Sequence, residues 1–245
     1  MKKALFFAVL VIISYTSCSK NDSGAQPGDG SIVGISGSLA RFAVTPTHLY
    51  TISETDLTTY DISDEHNPVY QKKSNLGFNI ETIFPKDNAL FIGTQTGMQI
   101  FDISNTDSPK QLSTFSHARS CDPVTANDDF AFITLRTNTI CTRGVNELEI
   151  ADIRDLSKPQ LVKSYPMTEP YGLAVDGNNL FVCDGGIKHF DISDIQNIVL
   201  KEKIVIEATD VIVHNGILMV IGRDGLYQYD YSKGNLEFLS KIATL

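Results

Sequence analysis

Residues 97–104 read Gly-Met-Gln-Ile-Phe-Asp-Ile-Ser, and the last four of them form a signature that the chain repeats. The signature occurs as Tyr60-Asp61-Ile62-Ser63, Phe101-Asp102-Ile103-Ser104, Ala151-Asp152-Ile153-Arg154, Phe190-Asp191-Ile192-Ser193 and Tyr229-Asp230-Tyr231-Ser232. Successive aspartates are 41, 50, 39 and 39 residues apart. A near-constant period of about 40 residues indicates an architecture of stacked structural repeats.

Each repeat contains four short segments with the character of β-strands, and the fourth repeat shows them best. Its predicted strands are Gly172–Val175, Leu180–Cys183, Ile187–Ile192 and Ile198–Val205. Asp-Gly turns separate them, and these are typical of tight hairpins because they supply positive φ. Four antiparallel strands repeated head to tail predict an all-β fold, a five-bladed β-propeller over residues 38–245. A β-sandwich is the alternative, but it would not require a constant repeat.

The composition of the 245 residues is that of an acidic globular protein. Apolar residues make up 42%, charged residues 20%, and the formal net charge is −9. The apolar fraction argues against a disordered chain. The acidic balance argues against binding of nucleic acid, which needs clustered Lys and Arg. No apolar stretch reaches the ~18 residues of a membrane-spanning helix.

The first seventeen residues have the organisation of an export signal. Lys2 and Lys3 precede the apolar stretch Ala4–Ile13, and small residues lead to Cys18. A Cys at the cleavage position resembles the signals of bacterial lipoproteins, in which that Cys becomes the acylated first residue. The resemblance implies that residues 1–17 are removed and that a lipid on Cys18 anchors the exported protein to the outer membrane. The alternative is an ordinary secretory signal with an incidental Cys.

Residues 18–37 are predicted to form a flexible tether, because they are rich in Ser, Gly, Asp, Asn and Pro. Without residues 1–17 the remaining chain has a formal net charge of −11, since two lysines are lost. Residues 31–36, Ser-Ile-Val-Gly-Ile-Ser, have two interpretations. They add an edge strand beside the last strand, Leu236–Ala243, and so cover an exposed sheet edge, or they are the end of the tether.

The aligned repeats resemble the LVIVD-repeat β-propeller lipoproteins of Bacteroidetes over residues 38–245. The resemblance is carried by Leu-Phe-Ile and Leu-Phe-Val stretches, each followed by Phe-Asp-Ile-Ser, and by strands that a Pro precedes. The blocks Gly97–Ser104 and Pro170–Leu173 add to it. It implies the propeller fold and a location in the cell envelope, but no activity, because fold analogy does not supply one.

Cysteines other than Cys18 suggest a disulfide. The third repeat has an insertion of about ten residues between its second and third strands, roughly Arg136–Asn146, which contains Cys141. Cys121 lies at the start of that repeat's first strand, on the same predicted face. A Cys121–Cys141 bridge would pin the insertion and contribute roughly 3 kcal/mol. Free thiols are the alternative, as is a Cys121–Cys183 pair, although Cys183 has the position of a small buried residue.

A candidate binding surface follows from the position of the first strands. The residues at the beginning of these strands surround the central axis on one face, which we call the funnel face. The polar residues predicted there are Arg41, Asn79, Glu81, Arg119, Asp122, Arg136, Arg143, Tyr171 and Asp210. Arginines, an aromatic ring and carboxylates around a shallow funnel are suited to a protein partner or a polar ligand such as a glycan. Solvated loop residues without a shared role are the alternative.

Catalysis has little support in the sequence. The five histidines are scattered, and no metal-ligand spacing, nucleophile motif or phosphate-binding loop occurs. The repeated Asp of the signature is predicted to cap a turn rather than bind a metal. We therefore predict a non-enzymatic binding or scaffold module without a cofactor or metal. The alternative is an envelope glycan hydrolase that uses Glu81, Asp122 and Asp210 as funnel carboxylates.

Overall fold

The computed structural model describes residues 37–117, 123–137 and 145–243. Within them, the strands form five four-stranded antiparallel sheets that follow chain order, which confirms the predicted five-bladed β-propeller. Blade 1 contains β1 (Phe42–Val44), β2 (His48–Ile52), β3 (Asp56–Asp61) and β4 (Val69–Asn75). Blade 2 contains β5 (Ile80–Lys86), β6 (Ala89–Thr94), β7 (Gly97–Asp102) and β8 (Lys110–Ser116). Blade 3 contains β9 (Val124–Ala126), β10 (Phe130–Leu135), β11 (Glu147–Asp152) and β12 (Gln160–Pro166).

Blades 4 and 5 have the same plan. Blade 4 contains β13 (Pro170–Asp176), β14 (Asn179–Asp184), β15 (Ile187–Asp191) and β16 (Val199–Ile204). Blade 5 contains β17 (Ala208–His214), β18 (Ile217–Gly222), β19 (Gly225–Asp230) and β20 (Glu237–Ala243). The turn between β13 and β14 places Gly177 at a φ of 53°, and the turn between β17 and β18 places Asn215 and Gly216 at 50° and 77°. The Asp-Gly and Asn-Gly pairs therefore form tight hairpins as the sequence predicts.

The repeated Asp caps the turn between the third and fourth strands of every blade, as predicted. Its Oδ1 accepts the backbone N–H two residues later, over 2.7–3.0 Å, at Asp61, Asp102, Asp152, Asp191 and Asp230. A register shift between the same two strands precedes the cap in all five blades. Such a bulge increases the local twist of a sheet, so the signature encodes the shape of the blade.

The apolar core lies between neighbouring blades, and we call each of these interfaces a seam, numbered by its two blades. In the second strand of a blade, side chains alternate between the two seams. Ala131 and Ile133 pack in seam 2–3, whereas Phe132 between them packs in seam 3–4. The residues equivalent to Phe132 are also at most 1% exposed, namely Tyr50, Phe91 and Phe181. Four buried apolar clusters thus hold blades 1 to 5 together in chain order.

Seam 5–1 differs from the other four. None of the apolar clusters in the described ranges joins blade 5 to blade 1. Met219 takes the place of the buried aromatic residue and is half-buried, and Ile221 is exposed. On blade 1, Leu49 and Thr51 are half-buried at positions that are fully buried in blades 2, 3 and 4.

The central axis is occupied by residues that precede β1. Ser38 Oγ donates a hydrogen bond to Asp210 Oδ1 of blade 5, over 2.9 Å, and accepts one from the Leu173 N–H of blade 4, over 2.8 Å. The Ala40 carbonyl accepts a hydrogen bond from the Ile83 N–H of blade 2. Gly37, which the sequence assigned to the tether, is buried with Ser38. These residues connect three blades near the axis.

Several predictions concern residues outside the described ranges. These are the signal over residues 1–17, the lipid on Cys18, the edge strand over residues 31–36, and the bridge between Cys121 and Cys141. Cys183 is a free, fully buried thiol in the described part of the chain. Across residues 37–117, 123–137 and 145–243, no helix has the length and apolarity to cross a membrane.

Candidate functional site

The described part of the funnel face contains a groove between blades 4 and 5. Its volume is about 860 Å³, and its walls come from the segments that precede β13 and β17 and from the turn between β14 and β15. The lining includes Glu169, Tyr171, Val205, Glu207 and Arg223. Val205 is 82% exposed at the rim. The groove thus combines apolar side chains with both signs of charge.

Two of the predicted funnel residues meet at one wall of this groove. Arg136 follows β10, and its guanidinium carbon lies 3.9 Å from the centre of the Tyr171 ring. The Tyr171 hydroxyl donates to Glu169 Oε1 over 3.2 Å. The Thr134 hydroxyl bonds the Tyr171 carbonyl over 2.7 Å and so fixes the backbone beneath the ring. The result is a stack of cation, aromatic ring and carboxylate, in which the cation–π contact favours a fixed ring orientation.

Asp184 holds the same wall from inside the fold. Its carboxylate accepts the N–H groups of Thr168 and Glu169, over 3.1 and 2.7 Å, and a 2.6 Å bond from Lys188 Nζ. Burial opposes ionisation of this carboxyl, but the Glu169 N–H and Lys188 outweigh it and hold its pKa below the usual value. The segment that carries Glu169 is therefore rigidly placed by a buried charge that is fully bonded.

The opposite wall belongs to blade 5. Arg223 Nη1 lies 3.3 Å from Glu207 Oε2, and the Arg223 N–H donates to the Glu207 carbonyl over 3.0 Å. Both side chains are largely exposed, so the ion pair itself contributes little to stability. Its effect is to place one carboxylate and one guanidinium at the rim, above the apolar residues of the groove.

The Asp210 carboxylate forms hydrogen bonds inside the fold. The side chain is buried and accepts hydrogen bonds from the Ser38 hydroxyl and from the Val211 N–H. Asp210 therefore holds together residues near the central axis. Burial raises its pKa, an effect that the Ser38 hydroxyl opposes. A Cβ built on Gly172 would stand 2.0 Å from Asp210 Oδ1, which explains why glycine occupies position 172. Asp210 is 7% exposed and does not line the groove, and its assignment as a funnel ligand stays a prediction.

The remaining predicted residues that the structure describes lie away from the groove. Arg41 and Asn79 are exposed at the start of blades 1 and 2, and neither lines the groove. Glu81 accepts a 3.0 Å hydrogen bond from Gln95 Nε2 within blade 2. Arg119, Asp122 and Arg143 are outside the described ranges. The described part of the chain contains no cluster of three His, Cys, Asp or Glu residues placed to hold a metal ion.

Sequence reasoning missed Glu169, Val205, Glu207 and Arg223. Glu169 and Glu207 directly precede the first strands of blades 4 and 5, so the alignment of the repeats contained a signal for them. Arg223 lies in the turn between β18 and β19 of blade 5. The equivalent turn of blade 4, between β14 and β15, contains Gly185 and Gly186. The sequence does not indicate that Val205 is exposed, because an apolar residue at the end of a strand is expected to be buried by neighbouring side chains.

Known proteins share the fold of this chain. Residues 142–167 match the LVIVD repeat. This match covers the whole of β11 and β12, and it supports a repeat-containing β-propeller. None of the curated proteins matches the sequence.

Solved structures resemble the protein at low sequence identity. A functionally unknown protein from Desulfotomaculum acetoxidans has a TM-score of 0.66 and 14% identity, over 81% of this chain and 67% of that chain. The periplasmic gluconolactonase PpgL of Pseudomonas aeruginosa has a TM-score of 0.61 and 11% identity, over 81% and 68%. BamB from Moraxella catarrhalis has a TM-score of 0.57 and 14% identity, over 87% and 65%. These identities show a shared propeller fold alone.

Proposed function

We propose that this protein is an envelope lipoprotein whose β-propeller binds a protein partner, without catalysis, through the groove between blades 4 and 5. The observation that carries the proposal is an exposed Val205 beside the half-buried Tyr171 in a groove of about 860 Å³. Aromatic rings and arginines surrounded by polar groups are typical of the energetic centres of protein interfaces.

The charges of the groove support binding rather than acid–base chemistry. Glu169 is bonded by Tyr171, and Glu207 is paired with Arg223, so each carboxylate has a fixed partner at the rim. A glycan hydrolase would need two acids facing one pocket, about 5–10 Å apart. Asp210, one of the three carboxylates proposed for that reaction, is buried and accepts a hydrogen bond from the Ser38 hydroxyl. The hydrolase alternative therefore keeps only Glu81 and Asp122 of its three proposed carboxylates.

Co-purification from detergent-solubilised native membranes, read by mass spectrometry, tests the proposal. We expect a stoichiometric protein partner, and we expect Val205→Asp to reduce its recovery at least about tenfold, because a charge would enter an apolar contact. Val69→Asp is the matched control, since Val69 is exposed on the outer strand of blade 1. A wild-type protein that retains no partner, or equal losses in the two variants, would overturn the proposal.

The membrane anchor has its own test. In the proposal, Cys18→Ala prevents acylation and releases the protein from the membrane fraction, because the thiol of Cys18 carries the lipid. Metabolic labelling with a fatty acid and membrane fractionation measure the two effects. Continued membrane association of the unlabelled variant would contradict the lipoprotein assignment and leave the groove proposal to be judged by co-purification alone.

A further inference from the structure

Phe78 is a large apolar side chain on the surface of the funnel face. It is 81% exposed, and among the large apolar residues that the structure describes only Val205, at 82%, is more exposed. Both residues lie in a connection between two blades, Phe78 two residues before β5 and Val205 three residues before β17. Each is therefore within about 10 Å of the beginning of a first strand, and thus near the mouth of the funnel.

The connection that carries Phe78 is buried on both sides of it. Leu76 and Ile80 pack in seam 1–2, where they are 9% and 2% exposed. Between them, Gly77 and Asn79 have φ values of 98° and 61°, in the left-handed region. Asn is one of the few residues other than glycine that adopts this region readily. The backbone thus turns outward to Phe78 and returns to the core two residues later.

Hydrogen bonds fix the two ends of this connection. The Leu76 N–H donates to the Thr55 carbonyl over 2.8 Å, and the Leu76 carbonyl accepts a bond from Gln99 Nε2 over 2.9 Å. At the other end, the Asn79 carbonyl accepts the Gln95 N–H over 3.2 Å. An aromatic side chain on a fixed backbone loses little conformational entropy on binding. The exposed ring is therefore preorganised for a contact.

The charge beside this ring is negative. The Ile80 N–H donates to the Glu54 carbonyl over 3.2 Å, which places the exposed Glu54 next to the connection. The neighbouring Asp56 is paired with Lys73 over 3.0 Å, so these two charges offset each other. Anionic lipid headgroups repel a carboxylate, whereas Lys and Arg side chains of a protein attract it. The surroundings of Phe78 thus favour a protein with basic residues over a lipid surface.

We propose that Phe78 is a second anchor for the protein that binds the groove, and that it enters an apolar pocket whose rim carries Lys or Arg. The inference rests on the proposed function, because it assigns a further contact to the same partner. An interface of ordinary size buries about 800 Å² on each partner, a patch roughly 30 Å across. Such a patch covers both anchors, since both lie near the mouth of the funnel. Aromatic rings with a polar rim carry much of the energy of protein interfaces.

Photo-crosslinking in cells that express the full-length protein tests whether the two anchors share a partner. One variant carries p-benzoylphenylalanine in place of Phe78 and another in place of Val205, and mass spectrometry identifies the adducts. We expect both to crosslink the same polypeptide, with the position-78 adduct in a peptide that contains Lys or Arg. Adducts with different proteins, no adduct at position 78, or an adduct of position 78 with its own chain would overturn the inference.

Co-purification measures the contribution of the ring. Phe78→Asp should reduce recovery of the partner at least about tenfold, whereas Phe78→Leu should keep most of it, because most of the apolar area remains. Tyr70→Asp is the matched control, since Tyr70 is 57% exposed on the outer strand of blade 1. The melting temperature of Phe78→Asp should equal that of the wild type, because the side chain is exposed.

The outcomes separate this inference from the proposed function. Loss of the partner in Val205→Asp with full recovery in Phe78→Asp would overturn the second anchor alone. A wild-type protein that retains no partner would overturn the proposed function together with it. Sedimentation with phosphatidylglycerol vesicles that depends on Phe78 would also overturn the inference, in favour of a lipid surface.

Glu54→Lys tests the basic rim. We expect recovery of the partner to fall at least about threefold at ~0.1 M salt and to differ less from the wild type at ~1 M, because salt screens exposed charges. Glu65→Lys is the matched control, since its side chain is 87% exposed in the turn between β3 and β4. Equal effects of the two changes would overturn the basic rim, because net charge alone would then explain them.

Discussion

Seam 4–5 and seam 5–1 share blade 5 but are built differently. In seam 4–5, Phe181 stacks on His189 with ring centres 4.6 Å apart and lies 4.9 Å from Tyr231. In seam 5–1, the position equivalent to Phe181 is the half-buried Met219, and a polar contact at Ser38 holds blade 5 to the segment that leads into blade 1. The repeated signature therefore fixes the sheet of each blade, whereas the side chains of the second strand decide how firmly two blades pack.

The largest expected difference between the two seams comes from removing the second-strand side chain. Phe181→Ala should lower the free energy of unfolding by about 3–5 kcal/mol, because it leaves a cavity in a fully packed seam. Met219→Ala should cost less than about 1.5 kcal/mol, since its side chain is half-buried. Urea unfolding measures both values. Equal losses would show that seam 5–1 is as tightly packed as seam 4–5.

Ser38→Ala tests the polar link at the axis. The change leaves the buried Leu173 N–H unbonded and removes one donor from Asp210, so we expect a loss of about 2–3 kcal/mol in unfolding free energy. Ser240→Ala is the control, because its hydroxyl bonds Gln228 on the exposed side of blade 5. If the two variants unfold alike, Ser38 does not hold the first and last blades together.

The stability of seam 4–5 should depend on pH through His189. Burial lowers the pKa of His189 to about 4, and Lys201 acts in the same direction against Glu202 and Asp191. The unfolded imidazole binds a proton below its ordinary pKa of about 6.5, whereas the folded one stays neutral until about 4. The stabilisation is therefore fully present above pH ~6.5 and is lost as the pH falls toward ~4, by on the order of 3 kcal/mol.

Two variants isolate this effect. His189→Gln should flatten the fall in unfolding free energy between those two pH values, measured by urea unfolding. His66→Gln is the control, because the His66 side chain is 85% exposed. An unchanged pH dependence in His189→Gln would assign the acid sensitivity to other groups.

The smallest expected effects lie in the turn caps, and these should not distinguish the seams. Asp102→Ala in blade 2 and Asp230→Ala in blade 5 each remove one bond to a backbone N–H. Each should lower Tm by about 1–3 °C, and equally, because the same turn is affected in both blades. Asp102→Asn keeps an acceptor oxygen and is the control. Unequal shifts would show that the caps also depend on the packing of their seam.

The number of blades and their sheets could be predicted because they rest on local patterns. The Asp caps act over two residues, and the Asn215-Gly216 turn acts over one hairpin, so each leaves a short signal in the sequence. The link between Ser38 and Asp210 spans 172 residues and occurs once. A contact of that kind has no period, and the sequence therefore gave no indication that Gly37 and Ser38 are part of the propeller.

The candidate site was predicted in part for the same reason. Arg136 and Tyr171 share the funnel face because one follows a second strand and the other begins a first strand, and the structure brings them into contact. Position alone does not reveal burial, which is why Asp210 was expected at the surface. The groove also depends on Val205, whose exposure is decided by the shape of the neighbouring loops rather than by its own residue type.

Complete burial of the Cys183 thiol keeps it out of covalent chemistry once blades 4 and 5 have packed. Thiol–disulfide exchange requires a thiolate, and burial raises the pKa of Cys183 far above its usual value. In a chain that folds where oxidants are present, Cys183 can form an incorrect disulfide only before blade 5 packs against blade 4. Packing of blades 4 and 5 thus removes Cys183 from the thiols with which the remaining cysteines could mispair.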